Sequence, residues 1–408
     1  MRDRPGSVIR DPGSDLTDAR PSPSGPIGSR TTDSGSRRVA IVHDWLTGMR
    51  GGEKVLEAIC ELYPQATIYT LIHVKGSVSR RIEAHEIRTS SVQRLPGAAR
   101  LYRQYLPVFP MVIETFDLDG YDLVISSSHC AAKAVIRRGS ATHVCYCHSP
   151  MRYAWDQFDW YFGAAQVGAF RSRMLRPVLA HLARWDAATA GRVDRFLANS
   201  QYVAGRIRRY YNRGSTVVYP PVDTTFYRPP ASTAAHASQS AFLVVSALVP
   251  YKRLDVAIEA CRQVGARLKI VGRGPEEARL RSLAGPDVEF LGWRTDEEIR
   301  SLYADATAVL LPGTEDFGMV PVEAQACGTP VVALGTGGAC ETVQDGVTGV
   351  LVDQESVGAF AEGLERVHSI DRNPQVFRTH AERFSRARFI TSFQEAVATV
   401  LEEREVAP

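Results

Sequence analysis

Residues 314–334 read TEDFGMVPVEAQACGTPVVAL. The last part, Pro330-Val331-Val332-Ala333-Leu334, is a short apolar run of the kind a buried strand needs. Ahead of it lies a segment of helical length. Pro321 suits a first turn, where a missing N–H costs nothing, and Gly328 suits an end that wants a left-handed residue. Glu315-Asp316-Phe317-Gly318 reads as the loop before that helix. The first N–H groups of a helix have no internal partner and carry partial positive charge. Gly318, Met319 and Val320 are therefore predicted to present N–H groups to an anion, with Gly318 letting a ligand come close to the backbone. Glu315 and Glu323, with seven residues between them, flank the same spot. Carboxylates beside a phosphate site suit hydroxyls, so the pattern fits a diphosphate between two polyols, as in a nucleotide sugar. Taken alone the pair has a plainer account: Glu323 sits favourably near a helix N-terminus and Glu315 is a solvated loop acid.

Strands alternating with helices surround this stretch. In the second half, apolar runs at 242–248, 268–271, 288–291, 308–311 and 349–352 read as strands. Residues 255–264 and 296–303 read as helices, the latter with Thr295 as cap and Glu298 in the capping-box position. The first half shows the same alternation, with strands at 38–42, 66–71, 121–126, 142–147 and 196–200, and residues 217–223 closing it. The first strand leads through His43-Asp44-Trp45 to Gly51-Gly52-Glu53 and a helix; strand, glycine loop and helix form the first unit of a doubly wound fold. By itself the glycine pair is also compatible with a plain turn. The expected class is α/β with two Rossmann-like domains, at 37–228 and 241–375. Residues 1–36 carry almost no large apolar side chains and read as a disordered tail, 229–240 as a linker, and 376–408 as a C-terminal helical segment. In that segment Phe384, Phe389, Ile390, Phe393 and Val397 recur at helical spacing, so it is expected to pack back on a domain.

Through Glu315, Gly318, Pro321, Glu323, Ala324, Gly328, Pro330 and Val331 the opening stretch resembles the Glu-x7-Glu motif of the retaining glycosyltransferases of family 4. The resemblance implies the GT-B arrangement, two Rossmann-like domains facing across a cleft, with transfer of a hexosyl group from a nucleotide sugar to an alcohol. It implies that Glu323 binds ribose hydroxyls and Glu315 a hydroxyl of the donor sugar. Lys252, in Val249-Pro250-Tyr251-Lys252-Arg253, matches the phosphate-binding lysine. The Gly-Arg pair common before that lysine is Ser246-Ala247 here, which leaves Arg253 as a substitute for the absent guanidinium. Gly51 and Gly52 would bring the opposite backbone near the phosphates. His148, in Tyr146-Cys147-His148-Ser149-Pro150-Met151-Arg152-Tyr153, would orient the sugar, and Gly272, Arg273 and Trp293 are candidates for the base pocket. Family members retain anomeric configuration and are thought to need no metal or other cofactor, and the implied route is a front-face one in which the departing phosphate takes the acceptor proton. Several motifs look like a bacterial branch containing mannosyltransferases of surface-polysaccharide assembly. That makes GDP-mannose the first donor, a UDP-sugar the alternative, and a glycan or polyprenyl-linked alcohol the acceptor.

Other classes compete. A sugar-nucleotide epimerase on the same architecture would bring its own acid and base carboxylates, which the sequence does not mark. A dinucleotide-dependent oxidoreductase would need Gly-x-Gly-x-x-Gly after a strand, and Gly272-Arg273-Gly274 lacks the third glycine. A non-catalytic scaffold would have no reason to carry Glu315, Glu323, Lys252 and His148 together.

A net charge of +3 over 408 residues gives no argument for nucleic acid. Seven scattered cysteines without Cys-x-x-Cys fit reduced thiols of a cytoplasmic protein. Cys145 and Cys147 with His143 and His148 nearby make a metal site conceivable, but the spacing is wrong for zinc. No apolar run reaches the ~18 residues of a membrane span. Two basic, aromatic stretches, 80–116 and 170–195, suit peripheral contact with the inner face of an anionic membrane, or solvated helix faces whose arginine stems cover core.

Overall fold

The computed structural model describes residues 37–229 and 241–406; the tail expected at 1–36 and nearly all of the linker lie outside them. Strands β1 (Val39–His43), β2 (Thr67–Thr70), β3 (Ile87–Thr89), β4 (Leu123–Ser128), β5 (Thr142–Cys147), β6 (Arg195–Ala198) and β7 (Ser215–Val217) form one parallel sheet in the order β3-β2-β1-β4-β5-β6-β7. Strands β8 (Ala241–Val245), β9 (Arg267–Val271), β10 (Val288–Gly292), β11 (Val309–Leu311), β12 (Val331–Leu334) and β13 (Gly349–Val352) form a second, in the order β10-β9-β8-β11-β12-β13. The expected strands are all present, though several are shorter than their apolar runs. β3 was not expected: Ile87-Arg88-Thr89 is a three-residue edge strand in which only Ile87 packs against the core, so it carries no apolar run.

Each sheet has its turning point at the first strand. In one the chain order reverses between β1 and β4, in the other between β8 and β11. Loops leaving such neighbours at their carboxyl ends diverge to opposite faces and open a crevice, where doubly wound folds bind ligands. Both faces of both sheets are covered. Val39 and Ile41 point to one side with Leu56 and Ile59 of the helix Gly51–Leu62, while Ala40 and Val42 point to the other with Trp45 and Phe109.

The C-terminal helix Arg386–Val406 returns to the first domain. Phe389, Phe393, Val397 and Val400 are buried in the cluster that holds Ile41, Ile59 and Tyr146, with the Tyr146 ring 5.8 Å from Phe389. Each such phenylalanine is worth about 1.5–3 kcal/mol of burial. The expected C-terminal stripe needs one correction. The chain forms two helices, Pro374–Glu382 and Arg386–Val406, and Phe384 falls between them. Phe384 packs in the second domain, against Tyr219 (5.1 Å) and Phe317 (5.5 Å). The helix Pro374–Glu382 straddles the expected boundary at 376, and its Phe377 belongs to the second domain's core. Val222 and Ser385 form a parallel bridge, so the two strands of chain that link the domains run side by side.

The basic stretch 80–116 is partly core. Tyr102, Leu106, Phe109 and Ile113 are buried, with Tyr102 against Trp45 at 5.0 Å, while Leu95, Leu101 and Met111 remain exposed.

Candidate active site

On the second domain the site starts at Lys252, the end of a single 3₁₀ turn (Pro250–Lys252) after β8. That turn reaches the end of β11 because residue 313 is glycine; a Cβ there would lie 2.4 Å from the Tyr251 carbonyl oxygen and 2.8 Å from the Lys252 Cα. Lys252 and Glu315 consequently form an ion pair. Three residues on, Gly318 adopts φ +86° and opens the helix Met319–Ala326 with no side-chain cap. Gly328 follows the helix with φ +83°. Glu323 is buried on that helix and accepts hydrogen bonds from Tyr303 Oη (3.0 Å) and Lys54 Nζ (3.2 Å).

Lys54 belongs to the first domain, on the helix Gly51–Leu62, so this bond spans the cleft. Burial opposes its charge, but Glu323 and Asp296 outweigh burial and raise its pKa. The walls also meet at Gly51, where a Cβ would lie 3.3 Å from Met319 Sδ. Arg152 of the first domain reaches Asp316, its Nε donating at 2.6 Å. His148 follows β5; its Nε2 lies 2.8 Å from Ser127 Oγ, and its backbone carbonyl accepts from Asn199 Nδ2 at 2.9 Å. A Cβ on Gly52 would sit 3.7 Å from His148 Nε2, in ordinary contact. Burial, reinforced by His129 and His43, pushes the His148 pKa well below its usual range, so at neutral pH the ring carries one proton.

The structure thus brings together Gly51, Gly52, His148, Lys252, Glu315, Gly318, Met319, Val320 and Glu323 along the two facing crevices. It does not bring Arg253 to the group. That residue takes a left-handed conformation (φ +51°) at the start of the helix Leu254–Gln263, pairs with Asp255 and Glu355, and lies over the Trp160 ring. The guanidinium beside the Glu315 loop is that of Arg152. Gly272 is required by packing: with φ +132°, a Cβ would lie 1.8 Å from the Ser246 carbonyl oxygen. Arg273 and Trp293 are exposed.

The conceivable metal group does not assemble. Cys145 and Cys147 sit in an apolar cluster on one face of β5, with burial pushing the Cys145 thiol up to about 12, and His148 lies on the other face by strand alternation. His143 is held by Ser126 Oγ (2.8 Å) and the Arg192 carbonyl (3.0 Å).

Sequence reading passed over Lys54, Ser127, Arg152 and Tyr303. Ser127 had a signal, a small polar residue at the carboxyl end of a strand beside the turning point. Lys54 and Arg152 are visible only once the domains are placed, and Tyr303 only once its helix packs beside the helix Met319–Ala326.

Residues 49–226 match the family Glycosyltransferase Family 4, and residues 230–384 match Glycosyl transferases group 1. The chain belongs to the GT-B glycosyltransferases. This glycosyltransferase is 34% identical over 221 residues to the D-inositol 3-phosphate glycosyltransferase of Mycolicibacterium smegmatis, a match covering 47% of this chain and 50% of the relative. With the protein of that name from Mycobacterium sp. (strain JLS) it shares 29% identity over 370 residues, covering 78% and 81%. The fold is similar to that of Anabaena Alr3699/HepE in complex with UDP (TM-score 0.65, 19% identity, 89% of this chain and 100% of that one). It is also similar to that of sucrose-phosphate synthase from Thermosynechococcus elongatus (TM-score 0.66, 18% identity, 90% and 100%).

Glu323→Ala in the glycosyltransferase removes a buried acceptor of the kind worth about 1.5–3 kcal/mol per charged hydrogen bond. Donor Kd is expected to rise about 10- to 100-fold by calorimetry, and Glu323→Gln, which still accepts from Tyr303, less. A Kd unchanged in the alanine variant would remove Glu323 from the donor site.

Proposed function

We propose that the enzyme moves a hexosyl group from a nucleoside-diphosphate sugar to an alcohol on a glycan or polyprenyl-linked acceptor, with retention, without a metal, in cell-envelope polysaccharide synthesis. One observation carries this reading. The uncapped first turn of the helix Met319–Ala326 follows Glu315 and leads to Glu323, and each of these carboxylates is paired with a lysine, Glu315 with Lys252 and Glu323 with Lys54. A diphosphate answers the cationic centre, and sugar and ribose hydroxyls answer the acids. The lysine pairs hold the acids ready, and a bound donor takes over the partners of Lys252. In the transfer the bond from the anomeric carbon to the phosphate oxygen breaks, and a bond to the acceptor oxygen forms on the same face. The acceptor proton passes to the departing phosphate. Lys252 and the N–H groups of Met319 and Val320 stabilise the charge that gathers on that phosphate.

Two readings of the donor base each have support. HepE has been crystallised with UDP-glucose as well as UDP, which favours a UDP-sugar. The motif resemblance to bacterial mannosyltransferases favours GDP-mannose, and the relatives named above add nothing to it. Turnover of UDP-glucose, UDP-N-acetylglucosamine and GDP-mannose, followed by NMR with and without a simple alcohol acceptor, separates them. The expected result is transfer from one donor, with the donor's own anomeric configuration in the product and no loss in EDTA. An altered nucleotide sugar appearing without acceptor would mean an epimerase, and an inverted product would exclude the front-face route.

Membrane contact is the reading supported for the exposed apolar residues of the first domain. Leu101 and Met111 on one segment and Phe170 and Met174 on another are exposed among exposed Arg100, Arg103, Arg171 and Arg173. The segments meet at an apolar groove of about 330 Å³ lined by Pro107, Pro177, Val178, His181 and Leu182. Among the described residues no helix is long and apolar enough to cross a membrane. The enzyme is expected to sediment with vesicles containing phosphatidylglycerol and not with phosphatidylcholine alone. Met111→Asp with Phe170→Asp should abolish sedimentation; equal binding to both vesicle types would contradict the electrostatic part.

A further inference from the structure

The His148 ring belongs to a buried chain of polar side chains. Ser127 Oγ lies 2.8 Å from His148 Nε2 and 3.1 Å from His43 Nδ1. The two imidazoles stand nearly perpendicular, with centroids 6.5 Å apart. His43 is fully buried, and its Nε2 has no hydrogen-bond partner; the group facing it is Glu53 Oε1, at 3.9 Å. Glu53 is itself buried and accepts from the Arg50 backbone N–H at 3.0 Å through its other oxygen. Burial works against its charge, but its closeness to His43 leads the effects that lower its pKa, so it stays a carboxylate.

A hydroxyl has one proton to give and two lone pairs, and a singly protonated imidazole has one N–H and one bare nitrogen. A carboxylate facing His43 Nε2 favours the proton there, because a bare nitrogen would set two lone pairs against each other. His43 Nδ1 is then an acceptor and takes the Ser127 proton. Ser127 Oγ in turn accepts, and the available donor is His148 Nε2–H. We infer that Glu53, His43 and Ser127 are positioning residues that hold His148 as the Nε2–H tautomer, so that its Nδ1 is a bare acceptor for a hydroxyl of the reacting sugars. Among the described residues Nδ1 has no protein partner. That it serves a sugar hydroxyl rests on the function proposed above; the tautomer does not.

The test uses the full-length enzyme labelled with ¹⁵N in histidine, without donor, with His148 assigned from the signals lost in His148→Asn. The expected spectrum shows His148 protonated at Nε2 and bare at Nδ1. Ser127→Ala is expected to convert it to a mixture, and Ser127→Thr, which keeps the hydroxyl, to restore it. With the donor identified, Ser127→Ala should lower kcat about tenfold, the effect of one hydrogen bond, with donor Kd within about twofold, and Ser127→Thr should recover the rate. His148 found as Nδ1–H in the unaltered enzyme, or an unchanged tautomer in Ser127→Ala, would overturn the relay. A tautomer that responds while turnover does not would support the relay and remove His148 from contact with the reacting sugar.

Discussion

Replacing Lys252 with alanine is expected to lower kcat by about 10²–10³-fold, or ~3–4 kcal/mol of transition-state stabilisation. As the glycosidic bond breaks, negative charge accumulates on the leaving diphosphate. A fixed cation in a cleft short of water stabilises that charge more than it stabilises the ground state, and only this difference appears in kcat. In the proposed role Lys252 needs a fixed position, and its surroundings supply one. The packing of Gly313 against Tyr251 and Lys252 fixes its backbone, and Glu315 fixes its ammonium. Without donor the pair is internally neutral, so the cation is not stranded. Arg253→Ala is the control: its guanidinium is engaged by Asp255 and Glu355, and kcat is expected to change by less than about threefold, as for a partly exposed ion pair. Saturating-donor kinetics decide the matter. If Lys252→Ala raised KM at unchanged kcat, the lysine would be a ground-state binder only.

Asp44→Ala is expected to cost about 4 kcal/mol or more of folding stability, at the upper end for single substitutions. The Asp44 carboxylate is fully buried and accepts from four consecutive backbone N–H groups: His129 (2.7 Å), Cys130 (2.9 Å), Ala131 (2.6 Å) and Ala132 (2.8 Å). His129 Nδ1 is also 3.2 Å away. Alanine would leave four buried donors without an acceptor, at about 1–3 kcal/mol each before any water enters. Asp44→Asn keeps one acceptor oxygen and should lose about half as much. Urea unfolding followed by tryptophan fluorescence would measure both. A loss below about 1 kcal/mol for the alanine variant would mean that the loop after β4 is organised by something else.

What was legible in the sequence was what is local. Buried parallel strands are short apolar runs, and the loop and helix around Glu315 and Glu323 carry their punctuation in Gly318, Pro321 and Gly328. The capping box was equally readable: Thr295 Oγ1 accepts from the Glu298 N–H, and Glu298 accepts from the Thr295 N–H. Partners far apart in the chain were not legible. Lys54 and Glu323 are separated by 269 positions, Arg152 and Asp316 by 164, and Ser127 and His43 by 84. Such pairs follow from how two sheets face each other, and no periodicity encodes that. Arg253 was misread for a related reason. Adjacency to Lys252 suggested a shared target, but the left-handed turn at Arg253 sends neighbouring side chains apart. Phe384 matched a helical stripe by spacing alone; the break before Arg386 assigns it to the other domain's core.

The most direct measurement is calorimetric titration of the enzyme and of Glu323→Ala with UDP-glucose, UDP-N-acetylglucosamine and GDP-mannose in EDTA. The expected result is saturable binding of one donor to the enzyme with the metal chelated, weakened about 10- to 100-fold in Glu323→Ala. Binding of no donor, or binding only on addition of a divalent ion, would contradict a donor site built from Lys252, Glu315, Glu323 and the helix Met319–Ala326.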